Sequence, residues 1–254
     1  MRPRTAIIVA AALVFVIAHW VPFGDVALYP LTLFTTWVHE MGHGLTALLL
    51  GGRFDYLEIN KNAGGLAYAF AGHGWGDALV AAGGLLAPPL VGTIILATVH
   101  GPRRARIALA ILAAAIVLSL VVWVRSATGL VAMPIVAALL GWAVWPGFRE
   151  HPERRVILAQ ALAVILALDT VTRMVGYALS SEANPGQRSD VKGIADNLGG
   201  HYLLWGLAIV TIALGMLAFG LWWAWRRPGS SAKQTKTSVA QTKRSAKQTK
   251  TSIR

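Results

Sequence analysis

The chain has 254 residues, of which 56% are hydrophobic and only 13% are charged. Such a composition predicts a polytopic membrane protein and argues against a soluble globular domain. The chain contains no cysteine, which excludes disulfides, thiolate zinc ligands and cysteine nucleophiles. Any bound metal must therefore be held by histidine and carboxylate side chains.

The formal net charge of +12 is spread unevenly along the chain. Residues 231–254 carry five Lys and two Arg without an acidic residue, and the remaining excess lies in loops that flank apolar segments. This distribution is typical of membrane topology signals and comes with no nucleic-acid-binding motif, so we expect no nucleic-acid partner. Residues 229–254 are polar, basic and repetitive, which predicts a disordered tail after a membrane domain at 1–228.

Seven apolar runs approach the roughly 20 residues that a helix needs to cross a bilayer. Arg2 and Arg4 precede the first run, which has no clear cleavage site and is interpreted as a retained anchor. The fold class predicted is an all-α polytopic membrane protein with about seven transmembrane helices. They are placed at 5–22, 26–50, 78–100, 105–125, 127–148, 155–179 and 201–225. The basic loops give conflicting signals for their orientation.

The second predicted span contains an H-E-x-x-H motif, formed by His39, Glu40 and His43. Positions i and i+4 of a helix lie on the same face, so the two imidazoles can bind one metal ion. Glu40 is then well placed to take a proton from the water that the metal activates, as in zinc hydrolases. Three ionisable side chains are costly inside hydrocarbon, which marks them as a candidate functional site.

The segment with strand character follows this helix, at residues 51–76. Polar and apolar residues alternate at 53–59, residues 61–65 predict a turn, and a second short strand is predicted at 66–70. One interpretation is a glycine-rich connecting loop. The other is a small β-hairpin beside the metal site, whose edge could hold an unfolded substrate by strand addition.

Small residues and two prolines fill residues 81–89 of the next span. Gly and Ala let helices approach closely, whereas consecutive prolines remove backbone donors and kink a helix. The segment therefore predicts either plain helix packing or a kinked helix that leaves room for a peptide.

A catalytic zinc ion usually takes three protein ligands, so the site needs one more side chain. Asp169 is the first candidate, because a lone carboxylate near the middle of a span should face the bundle interior. An ion pair with Arg173, four residues on, would satisfy it without a metal. Asp190 is the second candidate, although Ser189 and Asp190 could equally cap a short helix.

These features resemble the M50 group of intramembrane metalloproteases, and most closely its M50B-like branch, related to site-2 proteases. The resemblance covers roughly 31–206 and rests on HEMGHG at 39–44, LGGR at 50–53, the Gly-Gly turn at 64–65 and the small-residue span. Leu168-Asp169 is similar to the Leu-Asp of the site-2 protease Leu-Asp-Gly motif, with Thr170 in place of the glycine. Ser189-Asp190 is similar to a Ser-Asp pair of the M50B-like branch.

The resemblance implies that His39, His43 and Asp169 bind Zn²⁺ and that Glu40 is the catalytic base. It implies a zinc-dependent endopeptidase that hydrolyses peptide bonds in or near transmembrane segments, in a multi-pass protein of the cell membrane. Its partners would be the lipid bilayer and a membrane-embedded protein substrate. The alternatives are a catalytically inactive pseudoprotease that binds membrane partners and, ranked third, a metal transporter.

Overall fold

The computed structural model describes residues 3–18, 21–180 and 189–226. These residues form eight α-helices and one two-stranded antiparallel sheet. The predicted tail at 229–254 lies outside the described residues. The helices are α1 (Pro3–Ala18), α2 (Gly24–Leu49), α3 (Trp75–Thr98), α4 (Pro102–Val122), α5 (Ala127–Trp142), α6 (Glu153–Ser180), α7 (Asp190–Leu198) and α8 (Tyr202–Arg226), and a π-helical turn (Ala143–Gly147) follows α5.

The predicted spans coincide with the long helices α1 to α6 and α8, but seven transmembrane helices are not confirmed. Within the described residues, five helices are long and apolar enough to cross a membrane, namely α3, α4, α5 with its π-helical extension, α6 and α8. The described part of α1 has only 16 residues. In α2, threonines and the H-E-x-x-H side chains interrupt the apolar sequence, so the candidate site itself lowers the hydropathy of this helix.

Helix α3 lies at the centre of the bundle, where it packs against α2, α6, α7 and α8. It stays helical through Pro88 and Pro89. Because Pro89 has no N–H, the carbonyl of Leu85 lacks its helical donor, and the hydroxyl of Thr170 on α6 donates to that carbonyl at 2.9 Å. The small residues bring α2 close: a Cβ added to Gly42 would lie only 2.5 Å from the Cβ of Ala87. Residues 81–89 are therefore a close helix-packing surface.

The β-hairpin predicted after α2 is confirmed, with β1 (Arg53–Ile59) antiparallel to β2 (Gly65–Phe70). In the turn, Asn60 N–H donates to the carbonyl of Gly64 at 2.8 Å, and Gly64 N–H donates to Asn62 Oδ1 at 3.0 Å. Ala63 takes a left-handed conformation, with φ of 59°. The hairpin thus returns the chain directly to α2, where the hydroxyl of Thr36 donates to the carbonyl of Ala63 at 2.6 Å.

The two edges of this small sheet differ. The outer edge of β1 is covered by the link between α4 and α5: Leu57 N–H donates to Trp123 O at 2.9 Å, and Arg125 N–H donates to Leu57 O at 3.0 Å. Ile59 N–H donates to the hydroxyl of Ser126 at 2.8 Å. Among the described residues no strand pairs with the outer edge of β2. The open edge of the sheet is therefore that of β2.

Helix α7 is short but firmly placed. Its N-cap is Ser189, whose hydroxyl accepts from the backbone N–H of Lys192 at 3.3 Å. Val191 and Ile194 are buried in one apolar cluster with side chains of α3 and α8, including Leu85. The cap and this packing together fix the first residue of α7, Asp190, relative to α3.

Candidate metal centre

The histidines of the H-E-x-x-H motif come together as predicted. His39 and His43 lie one turn apart on α2, and their Nε2 atoms are 3.1 Å apart. The rings meet edge to face, with an interplanar angle of 89°. Only 12% and 11% of the two side chains are exposed. The shared face of the helix therefore presents two imidazoles that converge on one point.

The tautomer of His43 follows from a backbone contact. Its Nδ1 lies 2.8 Å from the carbonyl oxygen of Val80 on α3. A carbonyl can only accept, so Nδ1 carries the proton and Nε2 of the neutral ring keeps its lone pair. This arrangement, in which the far ring nitrogen donates to a carbonyl, is the one that orients histidine ligands in metal sites.

Asp190 completes the cluster. Its Oδ2 is 3.0 Å from Nε2 of His39, and its Oδ1 is 3.5 Å from Nε2 of His43. Within the described residues, these three form the cluster with metal-ligand spacing, since one ligand atom from each lies within 4.8 Å of the others. Burial raises the pKa of the Asp190 carboxyl, but the two imidazoles outweigh that effect and hold the pKa below its ordinary value. The contacts with the imidazoles therefore favour the ionised carboxylate, which is the form that binds a metal.

The structure corrects the prediction that Asp169 joins the two histidines. Asp169 is buried, with 2% exposed, but its carboxylate is engaged elsewhere. Oδ2 accepts from Nε of Arg173 at 2.6 Å, and Oδ1 accepts from the hydroxyl of Thr35 at 2.9 Å. The local ion pair at i+4, the alternative raised from the sequence, is the one that forms. Asp190 takes the place expected of Asp169 beside the imidazoles.

The donor set fits a zinc ion. Two nitrogens bound to one tetrahedral zinc at about 2.0–2.1 Å would lie about 3.3 Å apart, close to the 3.1 Å between the two Nε2 atoms. Two histidines with one carboxylate leave one coordination position open, which is typical of catalytic zinc sites. Zinc binding itself stays a prediction.

Glu40 lies beside this cluster and is 4% exposed. Its carboxylate sits against the backbone of Gly65, the first residue of β2, where an added Cβ would overlap it. Glycine at this position therefore lets the hairpin approach the carboxylate. The arrangement brings the candidate base next to both the histidines and the open edge of β2.

A cavity of about 640 Å³ contains these groups. Its wall combines the three candidate ligands and Glu40 with the β2 backbone, one face of α3, the end of α6 and the start of α7. His73 lies outside this wall, and its side chain is 92% exposed and pairs with Asp77 at 3.6 Å. Arg173 also lies on the wall of the cavity. From the sequence it was considered only as an ion-pair partner of Asp169.

Two signals in the sequence pointed to this arrangement. The i+4 spacing of Asp169 and Arg173 favoured their ion pair. The Ser-Asp pair at 189–190, interpreted from the sequence as a helix cap or as the second ligand candidate, has both roles: Ser189 caps α7, and the carboxylate of Asp190 lies beside the histidines.

Replacing Gly84 by Ala tests the packing behind the ligands. A Cβ at Gly84 would overlap the imidazole of His43. His43 must then turn away, and we expect zinc affinity to fall at least about 10-fold, as when a ligand loses its orienting contacts. Zinc titration of the purified variant measures this. Gly141→Ala on α5 is the matched control, since its Cβ would meet no atom within 4 Å. Equal affinities in both variants would contradict the packing argument.

The fold and the site together define a helical, multi-pass integral membrane protein with an H-E-x-x-H cluster in its bundle. The sequence profile described as Peptidase M50B-like matches residues 6–220. The chain therefore belongs to the Peptidase M50B-like family, and with it to a family of proteases. Neither the comparison with curated proteins nor that with solved structures gives a match.

Proposed function

We propose that this protein is a zinc-dependent endopeptidase that hydrolyses peptide bonds in or near the transmembrane segments of other membrane proteins. The observation that carries the proposal is the convergence of His39, His43 and Asp190 in one cavity with Glu40. A structural ion pair would need no fourth ionisable group in the same cavity. A hydrolase needs it as a base.

His39, His43 and Asp190 would hold the zinc. When bound, zinc acts as a Lewis acid, lowering the pKa of water and polarising a carbonyl group. Glu40 accepts a proton from the attacking water and passes it to the nitrogen of the leaving amine as the C–N bond breaks. Because Glu40 is buried, bulk water does not compete with it as a proton acceptor. The cavity still admits the single water molecule that attacks the peptide bond.

The open edge of β2 would position the substrate. A peptide bond within a helix has its carbonyl engaged and its backbone shielded, so the substrate segment must unwind before it reacts. Residues of β2 from Gly65 to Ala69 border the cavity, and their outer edge has backbone groups to pair with an extended strand. We propose that the unwound segment pairs there, which brings its backbone within reach of Glu40.

The protein is proposed to act in the cell membrane, where its partners are the lipid bilayer and a membrane-embedded protein substrate. The apolar side chains exposed on α4, α5 and α8 are suited to contact lipid tails.

Metal removal tests the proposal. The full chain is reconstituted into liposomes with a panel of labelled single-span peptides that differ in helical stability. We expect about one zinc per chain, cleavage of the less stable helices, loss of cleavage with a zinc chelator, and recovery when zinc is added back. Zinc content by mass spectrometry and product analysis on gels measure both effects. Stoichiometric zinc without cleavage of any peptide would identify a pseudoprotease, and cleavage that survives chelation would refute the zinc mechanism.

A further inference from the structure

Arg173 is held more tightly than a simple ion pair requires. It lies on α6, one turn after Asp169, and its Nε donates to the buried Asp169 carboxylate at 2.6 Å. Its Nη2 donates to the hydroxyls of Thr36 at 2.8 Å and Thr35 at 3.3 Å, both on α2. Contacts from two helices therefore fix the plane of the guanidinium.

One nitrogen of this guanidinium remains available. Among the described residues, none accepts a hydrogen bond from Nη1, although 29% of the Arg173 side chain is exposed. The same side chain borders the cavity that contains Glu40 and the candidate ligands. Within this described part of the chain the two N–H groups of Nη1 are therefore unpaired, and they can donate to a molecule in that cavity.

The guanidinium also lies close to the candidate base. Thr36, which Nη2 contacts, precedes Glu40 by four residues on the same face of α2. Four residues of an α-helix rise about 6 Å. Arg173 and Glu40 border the same cavity, and the hydroxyl that Nη2 contacts belongs to a residue one helical turn before Glu40.

We propose that Arg173 is a catalytic residue whose Nη1 donates a hydrogen bond to the oxygen of the scissile carbonyl. This role rests on the proposed peptidase function. As the water oxygen bonds to the carbonyl carbon, the π electron pair moves to the carbonyl oxygen, and Arg173 stabilises the negative charge there without transferring a proton. Asp169 and the two threonines are positioning residues for this donor.

The charge balance favours a carbonyl over a carboxylate as the group that Arg173 recognises. Asp169 already neutralises the guanidinium, so the resting cavity gains no net charge from the pair. A substrate carboxylate would add an uncompensated negative charge. A neutral carbonyl adds none, and the preorganised donor becomes most valuable as charge develops in the transition state. The arrangement therefore suits cleavage within a chain.

The test compares Arg173→Gln and Arg173→Lys with wild type on a peptide that wild type cleaves in liposomes. We expect Arg173→Gln to lower kcat by about 10²–10³-fold with zinc content retained, and KM to change much less, since the contact strengthens in the transition state. Arg173→Lys keeps the positive charge but loses the planar set of N–H donors, so its kcat should lie between those of wild type and Arg173→Gln. Added guanidinium ion should restore part of the rate of Arg173→Ala. Arg106→Gln on α4, outside the cavity, is the matched control.

Each outcome decides the role of Arg173. Unchanged kcat in Arg173→Gln with normal zinc content would refute it while leaving the peptidase intact. If Arg173→Gln loses zinc or unfolds, the Arg173→Lys variant decides the question. A lowered kcat of Arg173→Lys, at the zinc content and unfolding temperature of wild type, supports the proposal. An unchanged kcat of Arg173→Lys refutes it. A wild-type protein that cleaves no peptide refutes the peptidase function and this role together.

Discussion

Replacing Glu40 by Gln should lower peptide cleavage by about 10²–10⁴-fold while the zinc content stays at the wild-type level. Gln has almost the same shape and still fits against Gly65, but its amide cannot accept the proton of the attacking water. Neither histidine contact involves Glu40, so the ligand cluster should persist. Cleavage in liposomes and zinc analysis of the same preparation measure the two quantities.

Glu58→Gln is the matched control for this prediction. Glu58 lies on β1 opposite Leu66 and does not border the cavity, so the same chemical change there should leave cleavage intact. Full activity of Glu40→Gln would exclude Glu40 as the base. Loss of zinc from Glu40→Gln would instead show that the carboxylate helps to hold the metal.

Replacing Asp190 by Ala should lower zinc affinity by more than about 100-fold, whereas Asp169→Ala should leave zinc bound. Even loss of a group that only orients a ligand typically costs 10–100-fold in affinity, and Asp190 faces both Nε2 atoms directly. Asp169 instead pairs with Arg173, away from the imidazoles. Zinc titration of the purified variants separates the two carboxylates.

The two variants should also differ in stability and in cleavage. Without Asp169, the guanidinium of Arg173 loses its carboxylate partner. The unfolding free energy should fall by about 1–3 kcal/mol, because the Asp169 side of the lost contact is buried while Arg173 is partly exposed. Asp169→Ala should then bind zinc but cleave poorly, since the donor beside Glu40 is no longer held. Zinc lost from Asp169→Ala and kept in Asp190→Ala would reverse the assignment made from the structure.

The Leu-Asp-Thr sequence at 168–170 connects α6 to its neighbours through its two polar side chains. In this chain Asp169 anchors an arginine, and Thr170, in place of the glycine, donates to the carbonyl that Pro89 leaves without a partner. The Thr170 contact joins α6 to α3, and the contact of Asp169 with Thr35 joins α6 to α2. A glycine at position 170 could not make the hydrogen bond to the carbonyl of Leu85.

Local patterns were enough to predict most of the elements. The apolar runs predicted the long helices, because each run has the length and composition of one helix. The alternation at 53–59 and the turn that follows predicted the hairpin, because strand periodicity is a property of consecutive residues. The same local rule placed His39 and His43 on one helix face. The predicted number of transmembrane helices is not confirmed: the apolar runs gave seven, whereas five of the described helices have the length and hydropathy of a span, and α2 with its polar site residues is not one of them.

The sequence by itself thus determined the candidate pair of histidine ligands, the candidate base and the elements that carry them, since each depends on spacing within one helix or hairpin. Tertiary structure alone decided which aspartate joins the histidines. Asp190 lies 147 residues beyond His43, and it reaches the imidazoles because apolar contacts seat α7 against α3 and α8. Asp169 and Asp190 are both plausible ligands as isolated carboxylates, and only the packing of distant helices distinguishes them.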